Sequence, residues 1–141
     1  SMTLGDLETV VQYKFPIKII VFNNRSLGMV KLEMEVDGLP DWQTNMLNPD
    51  FAQVAEAMGM TGFNVSDPDK VLTTLYNAFE IDGPVLINIM TDPNALAMPP
   101  KIEIGQMVGF AQSMYKLLIN GRSQEVIDTI NSNYKHIREV F

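Results

Sequence analysis

The chain contains no cysteine, few basic residues and a single histidine among its 141 residues. The absence of cysteine excludes disulfide bonds, thiolate metal sites and cysteine nucleophiles, and it favours an intracellular, cytoplasmic protein. The 10 Lys and Arg residues are outnumbered by 17 Asp and Glu residues, and they do not form the basic stripe that nucleic-acid binding needs. His136 has no metal or triad partner near it in the sequence, so we interpret it as a solvated helix residue.

Long hydrophobic runs are also missing. No apolar run reaches the roughly 20 residues that a membrane-spanning helix needs, and the first residues lack the basic and apolar regions of a signal peptide. The chain is nevertheless 46% hydrophobic and 19% charged. This balance is typical of one compact domain with a real core rather than of a disordered chain.

Three short apolar segments predict β-strands. Residues 17–22 and 85–90 are β-branched, nearly continuous apolar runs, which are typical of parallel strands covered on both faces. We expect residues 17–22 to form a central strand and residues 61–66 to form a shorter strand. Helical patterns separate the three segments, and this alternation predicts an α/β fold with an open parallel sheet and helices on both faces.

Two Asx-Pro pairs mark helix starts. In Asn48-Pro49 and in Asp67-Pro68, the first residue is a good N-cap and proline fits the first helical position. We therefore predict a helix from each pair. Residues 29–36 fit a helix slightly better than a strand, because Glu and Lys occupy most of their polar positions.

The last third of the chain has the pattern of two amphipathic helices after a proline-bearing linker. The apolar stripe predicted for the first helix is Ile104, Met107, Val108, Ala111, Met114, Tyr115 and Leu118. The stripe predicted for the second helix is Ile127, Ile130, Tyr134, Ile137 and Phe141. This last helix could pack on its own domain, on a neighbouring subunit or at a membrane surface.

The first strand ends in two asparagines, Asn23 and Asn24. In open parallel sheets, ligands bind at the carboxyl ends of the strands, where loops and helix N-termini meet. An asparagine side chain offers a neutral oxygen to a hard cation such as Mg²⁺, and Gly28 would let the backbone approach a phosphate closely. An Asn-Asn pair before a glycine is also an ordinary turn, and on spacing alone we favour the turn.

Sequence motifs relate the chain to a known enzyme family. The segment DLETVVQYKFPIKIIVFNNRSLGMVKLEMEV resembles the second half of the thiamine diphosphate motif, in which a Gly-Asp-Gly triplet precedes a helix, a strand and an Asn-Asn pair. The triplet is missing, so we expect the chain to begin just after it. The segments DGPVLINIMTDPNALAMPPKI and NGRSQEVIDTINSN resemble the C-terminal part of pyruvate oxidases and quinone-linked pyruvate dehydrogenases.

The resemblance implies a cofactor site after the first strand. Asn24 would bind Mg²⁺ through its side chain and Ser26 would bind it through its backbone carbonyl, while Asn23 would support the turn. The positions expected beside the diphosphate and the active-site pocket are Leu27, Gly28 and Met29. No catalytic residue is assigned to this chain, because the activating glutamate of the family belongs to an N-terminal domain.

The same resemblance implies the organisation and activity of a parent enzyme. Residues 1–93 would be most of a diphosphate-binding domain without its Gly-Asp-Gly start, and residues 94–141 would be a linker and C-terminal amphipathic helices. The parent enzyme would oxidatively decarboxylate pyruvate with thiamine diphosphate and Mg²⁺, and pass electrons through FAD, bound by another domain, to quinone or oxygen. It would be a homotetramer, with the C-terminal helix as a candidate for peripheral contact with the cytoplasmic face of a membrane.

Two alternatives to a pyruvate oxidase stay open. Acetolactate synthases share the segment NNRSLGMVK closely, although they usually lack the Met-Pro-Pro linker, and the parent protein would then be a carboligase. A non-catalytic α/β interaction module is the other alternative. For the pyruvate oxidase hypothesis, we expect the isolated 141-residue chain to bind Mg²⁺ and thiamine diphosphate weakly and to be inactive.

Overall fold

The computed structural model describes residues 3–95 and 103–140, with side chains as far as residue 134. The elements follow one another in the order α1 (Asp6–Gln12), β1 (Lys18–Asn23), α2 (Gly28–Val36), α3 (Phe51–Ala57), β2 (Thr61–Val65), α4 (Pro68–Glu80), β3 (Val85–Met90), α5 (Ile104–Ile119) and α6 (Ser123–Val140). They belong to two compact units. The first unit is Ser1–Asn24 with Leu47–Thr91, and the second is Arg25–Met46 with Asp92–Phe141. The functional division that the sequence suggests after residue 93 stays a prediction.

The strands of the first unit form a parallel sheet in the order β1-β3-β2. The predicted α/β fold with an open parallel sheet is therefore confirmed. The prediction of a central strand at residues 17–22 is wrong, because among the described residues β1 lies at an edge of the sheet and β3 lies in the centre. The burial of the two strands agrees with these positions: the first five residues of β3 are all buried, whereas Ile20 and Phe22 of β1 are exposed.

Helices cover both faces of this sheet, as the sequence predicts. On one face, α1 and α3 pack on the sheet through Leu7, Phe51, Ala55, Met60 and Leu86. On the other face, α4 and the strands form a cluster of Val65, Ala78, Val85, Ile87 and Ile89. A side chain at Gly62 of β2 would place its Cβ 2.3 Å from the carbonyl oxygen of Ala52. Glycine at this position therefore allows α3 to lie close to β2.

The two predicted helix starts have different outcomes. At α4 the prediction is confirmed, because the carboxylate of Asp67 accepts a hydrogen bond from the backbone N–H of Asp69 and Pro68 occupies the first turn. At α3 the predicted N-cap, Asn48, is wrong. The N-cap is Asp50, which accepts a hydrogen bond from the backbone N–H of Gln53. The Asn48 side chain has a different partner, described below with the candidate site.

In the second unit, α2 and α5 pack closely against each other. A Cβ at Gly109 would lie 1.7 Å from the carbonyl oxygen of Val36, so this crossing requires glycine. One turn further along α5, the hydroxyl of Ser113 donates to the carbonyl oxygen of Leu39 at 2.9 Å. The buried residues of α5 are Gly109, Ser113, Met114 and Leu117. The predicted apolar stripe is therefore wrong as a packing face, because apart from Met114 its members are exposed.

A similar correction applies to α6. Among the side chains of α6 that the structure describes, Val126, Thr129 and Asn133 are buried. The described members of the predicted stripe, Ile127, Ile130 and Tyr134, are exposed, and the side chains of residues 137 and 141 lie outside the described part. Two of the three buried side chains are polar, so the hydrophobic periodicity of this helix does not identify the face that packs. Among the described helices, none is long and apolar enough to cross a membrane.

Candidate functional site

The last residue of β1, Asn23, is held by both its backbone and its side chain. It is only 4% exposed. Its side-chain Oδ1 accepts a hydrogen bond of 2.8 Å from Nδ2 of Asn48, and its backbone carbonyl accepts one of 3.1 Å from the N–H of Thr91. Asn24, the predicted metal ligand, follows directly and is half-buried. The carboxyl end of β1 is thus fixed immediately before the candidate ligand.

The first residues of the second unit form an unusual turn. Arg25 has a φ angle of 51°, in the left-handed region that non-glycine residues rarely adopt. Ser26 then forms an isolated antiparallel bridge with Asn45. Its two hydrogen bonds run from the N–H of Met46 to the carbonyl of Arg25 and from the N–H of Leu27 to the carbonyl of Thr44, both at 2.8 Å. A left-handed residue held by flanking bonds is typical of functional turns.

The residues on either side of Ser26 make the two hydrogen bonds of this bridge. Antiparallel residue pairs are of two kinds. In one, the two paired residues bond to each other through their own N–H and C=O groups; in the other, the residues on either side of them make the hydrogen bonds. Here the Arg25 carbonyl and the Leu27 N–H make the bonds, so neither bond uses the Ser26 carbonyl. The role of Ser26 as a ligand through its backbone oxygen stays a prediction.

The helix α2 begins directly after this turn. Its N-cap is Leu27, which makes no side-chain capping hydrogen bond, and the first turn contains no acidic residue. The first N–H groups of a helix have no partner within the helix and carry a partial positive charge, which favours a phosphate group. Leu27 and Met29 are both exposed, so neither of these two residues is core. These features fit the positions expected beside a diphosphate.

A network of two amides and one carboxylate, which the sequence analysis missed, joins β3, β2 and the start of α3 in the first unit. Asn88 of β3 donates to Asn64 of β2 at 2.8 Å, and Asn64 donates to both carboxylate oxygens of Asp50 at 2.7 and 2.8 Å. Hydrogen bonds from the backbone N–H of Gln53 and from the Asn64 side chain lower the pKa of Asp50. Asn64 and Asn88 are paired in the sheet register. Asparagine is uncommon in strands, so Asn64 and Asn88 in two largely apolar strands were the sequence signal that could have predicted this network.

A second missed feature is a buried carboxylate in the second unit. Glu35 of α2 is fully buried, and neither of its carboxylate oxygens has a hydrogen-bond partner among the described residues. Burial is the main cause that raises the pKa of Glu35 to about 7; Asp41 and Glu125 add to the effect, whereas Lys31 and Arg122 oppose it. From the sequence, its position two turns into α2 is that of an ordinary polar helix residue. No pattern in the sequence distinguishes it from Glu33, which is exposed.

The described residues contain no cluster of three or more His, Asp or Glu side chains that could hold a metal ion. The two predicted ligands, the Asn24 side chain and the Ser26 backbone carbonyl, would instead offer neutral oxygens. Mg²⁺ accepts such oxygens and usually completes its coordination with phosphates and water. The donor set of Asn24 and Ser26 has this chemistry.

Comparison with known proteins defines the family. The sequence matches the thiamine pyrophosphate enzyme C-terminal TPP-binding domain over residues 1–89. The chain therefore belongs to the family of thiamine pyrophosphate enzymes, as the motifs around Asn23 and Asn24 predict, and it is the thiamine diphosphate-binding domain of such an enzyme.

Individual relatives agree with this family. A Bacillus subtilis protein described as thiamine pyrophosphate-containing, YdaP, is 35% identical over 126 residues, which cover 89% of this chain and 22% of that protein. The mitochondrial acetolactate synthase catalytic subunit of Aspergillus candidus is 35% identical over 109 residues, or 70% of this chain and 14% of that protein. The acetolactate synthase large subunit of Porphyra purpurea is 32% identical over 118 residues, or 79% of this chain and 20% of that protein.

Two consequences follow from these relatives. The chain spans about a fifth of their length, or less. The expectation that pyruvate oxidase is the better match is not supported, because the named enzymes among these relatives are acetolactate synthases. Of the two enzymatic hypotheses from the sequence, the comparisons favour the carboligase.

Proposed function

We propose that this chain is the thiamine diphosphate-binding domain of an acetolactate synthase-like carboligase that acts on pyruvate. The observation that carries the proposal is the similarity to acetolactate synthases over 70% to 79% of the chain, a region that includes most of the family match at residues 1–89. In such a reaction, pyruvate loses carbon dioxide and the remaining two-carbon unit is joined to a second keto acid. The whole reaction would belong to the longer polypeptide that carries this chain.

The residues of this chain would bind and orient the cofactor. We propose that Asn24, through its amide oxygen, and Ser26, through its backbone carbonyl, hold Mg²⁺, which in turn holds the diphosphate. The N-terminus of α2, beginning at Gly28, would receive phosphate charge on its backbone N–H groups. Leu27 and the exposed Met29 would border the cofactor and the substrate pocket. Thiamine diphosphate, when bound, supplies a nucleophilic carbon for the keto carbon of pyruvate and an electron sink for decarboxylation.

A calorimetric titration of the full-length polypeptide with Mg²⁺ at saturating thiamine diphosphate tests the binding site. We expect Asn24→Ala to weaken Mg²⁺ binding at least about 10-fold, because a ligand oxygen is lost. The matched control is Asn77→Ala, which removes an exposed amide from α4 and is expected to bind like the unaltered protein. Equal affinities for both variants would contradict the proposed role of Asn24.

Pyruvate oxidase is the second candidate function, and one observation favours it. The segments DGPVLINIMTDPNALAMPPKI and NGRSQEVIDTINSN resemble the C-terminal part of pyruvate oxidases. In that case FAD and a quinone or oxygen would take part. Incubating the full-length protein with pyruvate separates the candidates: acetolactate without dye reduction supports the carboligase, whereas acetate with dye reduction supports the oxidase.

Assembly and location stay predictions. We propose a cytoplasmic homotetramer on the basis of the family resemblance, with the exposed stripe of Ile127, Ile130 and Tyr134 on α6 available to a neighbouring subunit or to a membrane surface. Co-sedimentation of the full-length protein with liposomes, with and without residues 124–141, tests the membrane contact. Equal binding by the two forms would contradict it.

A further inference from the structure

We propose that Asn48 is a positioning residue for the Mg²⁺ site, acting through Asn23 on the adjacent Asn24. The inference rests on the proposed function, because it concerns the same site. Its basis is the 2.8 Å hydrogen bond from Asn48 Nδ2 to Asn23 Oδ1. Asn48 would touch neither the metal nor the cofactor. It would determine the position of Asn24, the residue that binds the metal.

The bond completes the fixation of Asn23. The backbone of Asn23 is already held in the sheet, since Thr91 donates to its carbonyl oxygen at 3.1 Å. The side chain is almost fully buried, so its amide oxygen cannot exchange Asn48 for bulk water without opening the structure. With both groups held, the chain leaves β1 toward Asn24 in one direction.

Asn48 is itself well anchored. The next residue, Pro49, has a fixed φ angle and restricts the conformation of Asn48. Asp50 follows, and its carboxylate both caps α3 and accepts two hydrogen bonds from Asn64 of β2. The segment of residues 48–50 therefore ties the end of β1 to the start of α3 and to β2. A hydrogen bond from such a support can orient its partner, whereas one from a mobile loop could not.

The expected effect on metal binding follows from this arrangement. Residues that orient a metal ligand without contacting the metal typically contribute about 10-fold to 100-fold in affinity. Asn48 lies one step further from the metal, since it acts through Asn23. We therefore expect the low end of this range, about 10-fold.

The experiment uses the full-length polypeptide and three substitutions. Asn48→Asp preserves the shape of the side chain but replaces the donor with a carboxylate oxygen, and Asn48→Ser is too short to reach Asn23. Asn77→Asp, at an exposed position of α4, introduces the same charge change away from the network. Calorimetric Mg²⁺ titration at saturating thiamine diphosphate is expected to give a Kd about 10-fold higher for both Asn48 variants and less than 2-fold higher for Asn77→Asp.

A double substitution separates positioning from a general loss of structure. If Asn48 acts through Asn23, then Asn23→Ala combined with Asn48→Ser binds Mg²⁺ no more weakly than Asn23→Ala alone. Independent, multiplying effects would overturn the inference. It would also be overturned if both folded Asn48 variants bound Mg²⁺ like the unaltered protein, or if both lost the native circular dichroism spectrum, because Asn48 would then serve folding alone.

The outcome for Asn24→Ala distinguishes the inference from the proposed function. Weakened Mg²⁺ binding by Asn24→Ala together with unaltered binding by Asn48→Asp leaves the proposed site intact and overturns only the role of Asn48. Unaltered binding by Asn24→Ala overturns the proposed metal site and, with it, the positioning role. Weakened binding by both variants, with the control unaffected, supports both.

Discussion

In the first unit, apolar clusters fill both faces of a parallel sheet, whereas the second unit buries charged and polar side chains beside a small apolar cluster. In the described part of the second unit, the buried charged side chains are Lys31, Glu35 and Asp41. Asparagines are the buried polar side chains of the first unit, and Asn23 and Asn88 make hydrogen bonds there. The two units therefore derive their stability from different interactions.

This difference has a measurable consequence. Burial of apolar surface does not involve a proton, so the stability it provides does not change with pH. A buried carboxylate whose pKa differs between the folded and unfolded states makes stability depend on pH. We expect cavities to have their largest effect in the first unit, and a rise in pH toward 7 or the loss of a countercharge to have its largest effect in the second.

The largest expected effect is a cavity in the first unit. Ile87→Ala removes a side chain with no exposed surface from the centre of β3, and we expect the free energy of unfolding to fall by about 4 kcal/mol. The matched control is Ile20→Ala on β1, because Ile20 is the register partner of Ile87 but is 37% exposed. Denaturant unfolding is expected to show a much smaller loss for Ile20→Ala, and equal losses would contradict the burial argument.

The next effect concerns Glu35 in the second unit. Its folded pKa of about 7 lies above the ordinary value of 4.5, so the folded state holds the proton more tightly. The contribution of Glu35 to stability is then largest below pH 4.5, falls as the pH rises toward 7, and levels off above it. At about 1.4 kcal/mol per pKa unit, the loss is about 3 kcal/mol.

Glu35→Gln is expected to remove this fall in stability with rising pH, because glutamine does not titrate. Hydrogen exchange of the second unit, measured at pH 5 and pH 8, would show nearly equal stability for the variant and a lower value at pH 8 for the unaltered protein. Glu33→Gln is the control, since Glu33 lies on the same helix and is exposed. A pH dependence that persists in Glu35→Gln would show that another group is responsible.

A smaller effect is expected from the ion pairs of Arg122. Its Nη2 lies 2.7 Å from Oδ1 of Asp41 and 2.5 Å from Oε2 of Glu125, and the two carboxylate side chains are 5% and 39% exposed. Arg122→Met leaves the buried Asp41 without its cation and should cost about 2 kcal/mol, whereas Glu125→Gln should cost less than about 1 kcal/mol. Thermal unfolding of the two variants measures the difference, and the reverse order would contradict the assignment.

The smallest effect is at the N-cap of α4. Asp67→Ala removes the side-chain acceptor for the N–H of Asp69 and should lower the free energy of unfolding by about 1 kcal/mol. Asp67→Asn keeps an acceptor and is expected to lose only a fraction of that amount. Denaturant unfolding compares the two variants, and a loss from Asp67→Asn as large as that from Asp67→Ala would contradict the capping role.

Much of the fold was predictable from local patterns. The β-branched runs of β1 and β3 and the Asp67-Pro68 pair predicted their elements within a residue or two. The Asn-Asn pair and its neighbours predicted the family, which the match over residues 1–89 confirms. Periodicity and turn residues act over a few positions, so a sequence displays them directly.

The packing faces of the C-terminal helices were not predictable in the same way. Hydrophobic periodicity selected Ile104, Val108 and Tyr115 on α5, yet Gly109 and Ser113 lie against its neighbours. Close approach of α2 requires a small residue, and the carbonyl of Leu39 requires a donor. Both requirements come from a partner distant in sequence, so hydrophobic periodicity does not contain them.

The sequence by itself determined the element types, the α/β class and the family, because each depends on short-range patterns or on motif identity. Tertiary structure alone decided that β3 rather than β1 is central, that Asp50 rather than Asn48 caps α3, and that Asn48 holds Asn23. It also decided that Glu35 is buried while Glu33 is exposed. Each of these depends on which distant residues meet in space, since burial and hydrogen bonding are properties of the assembled chain.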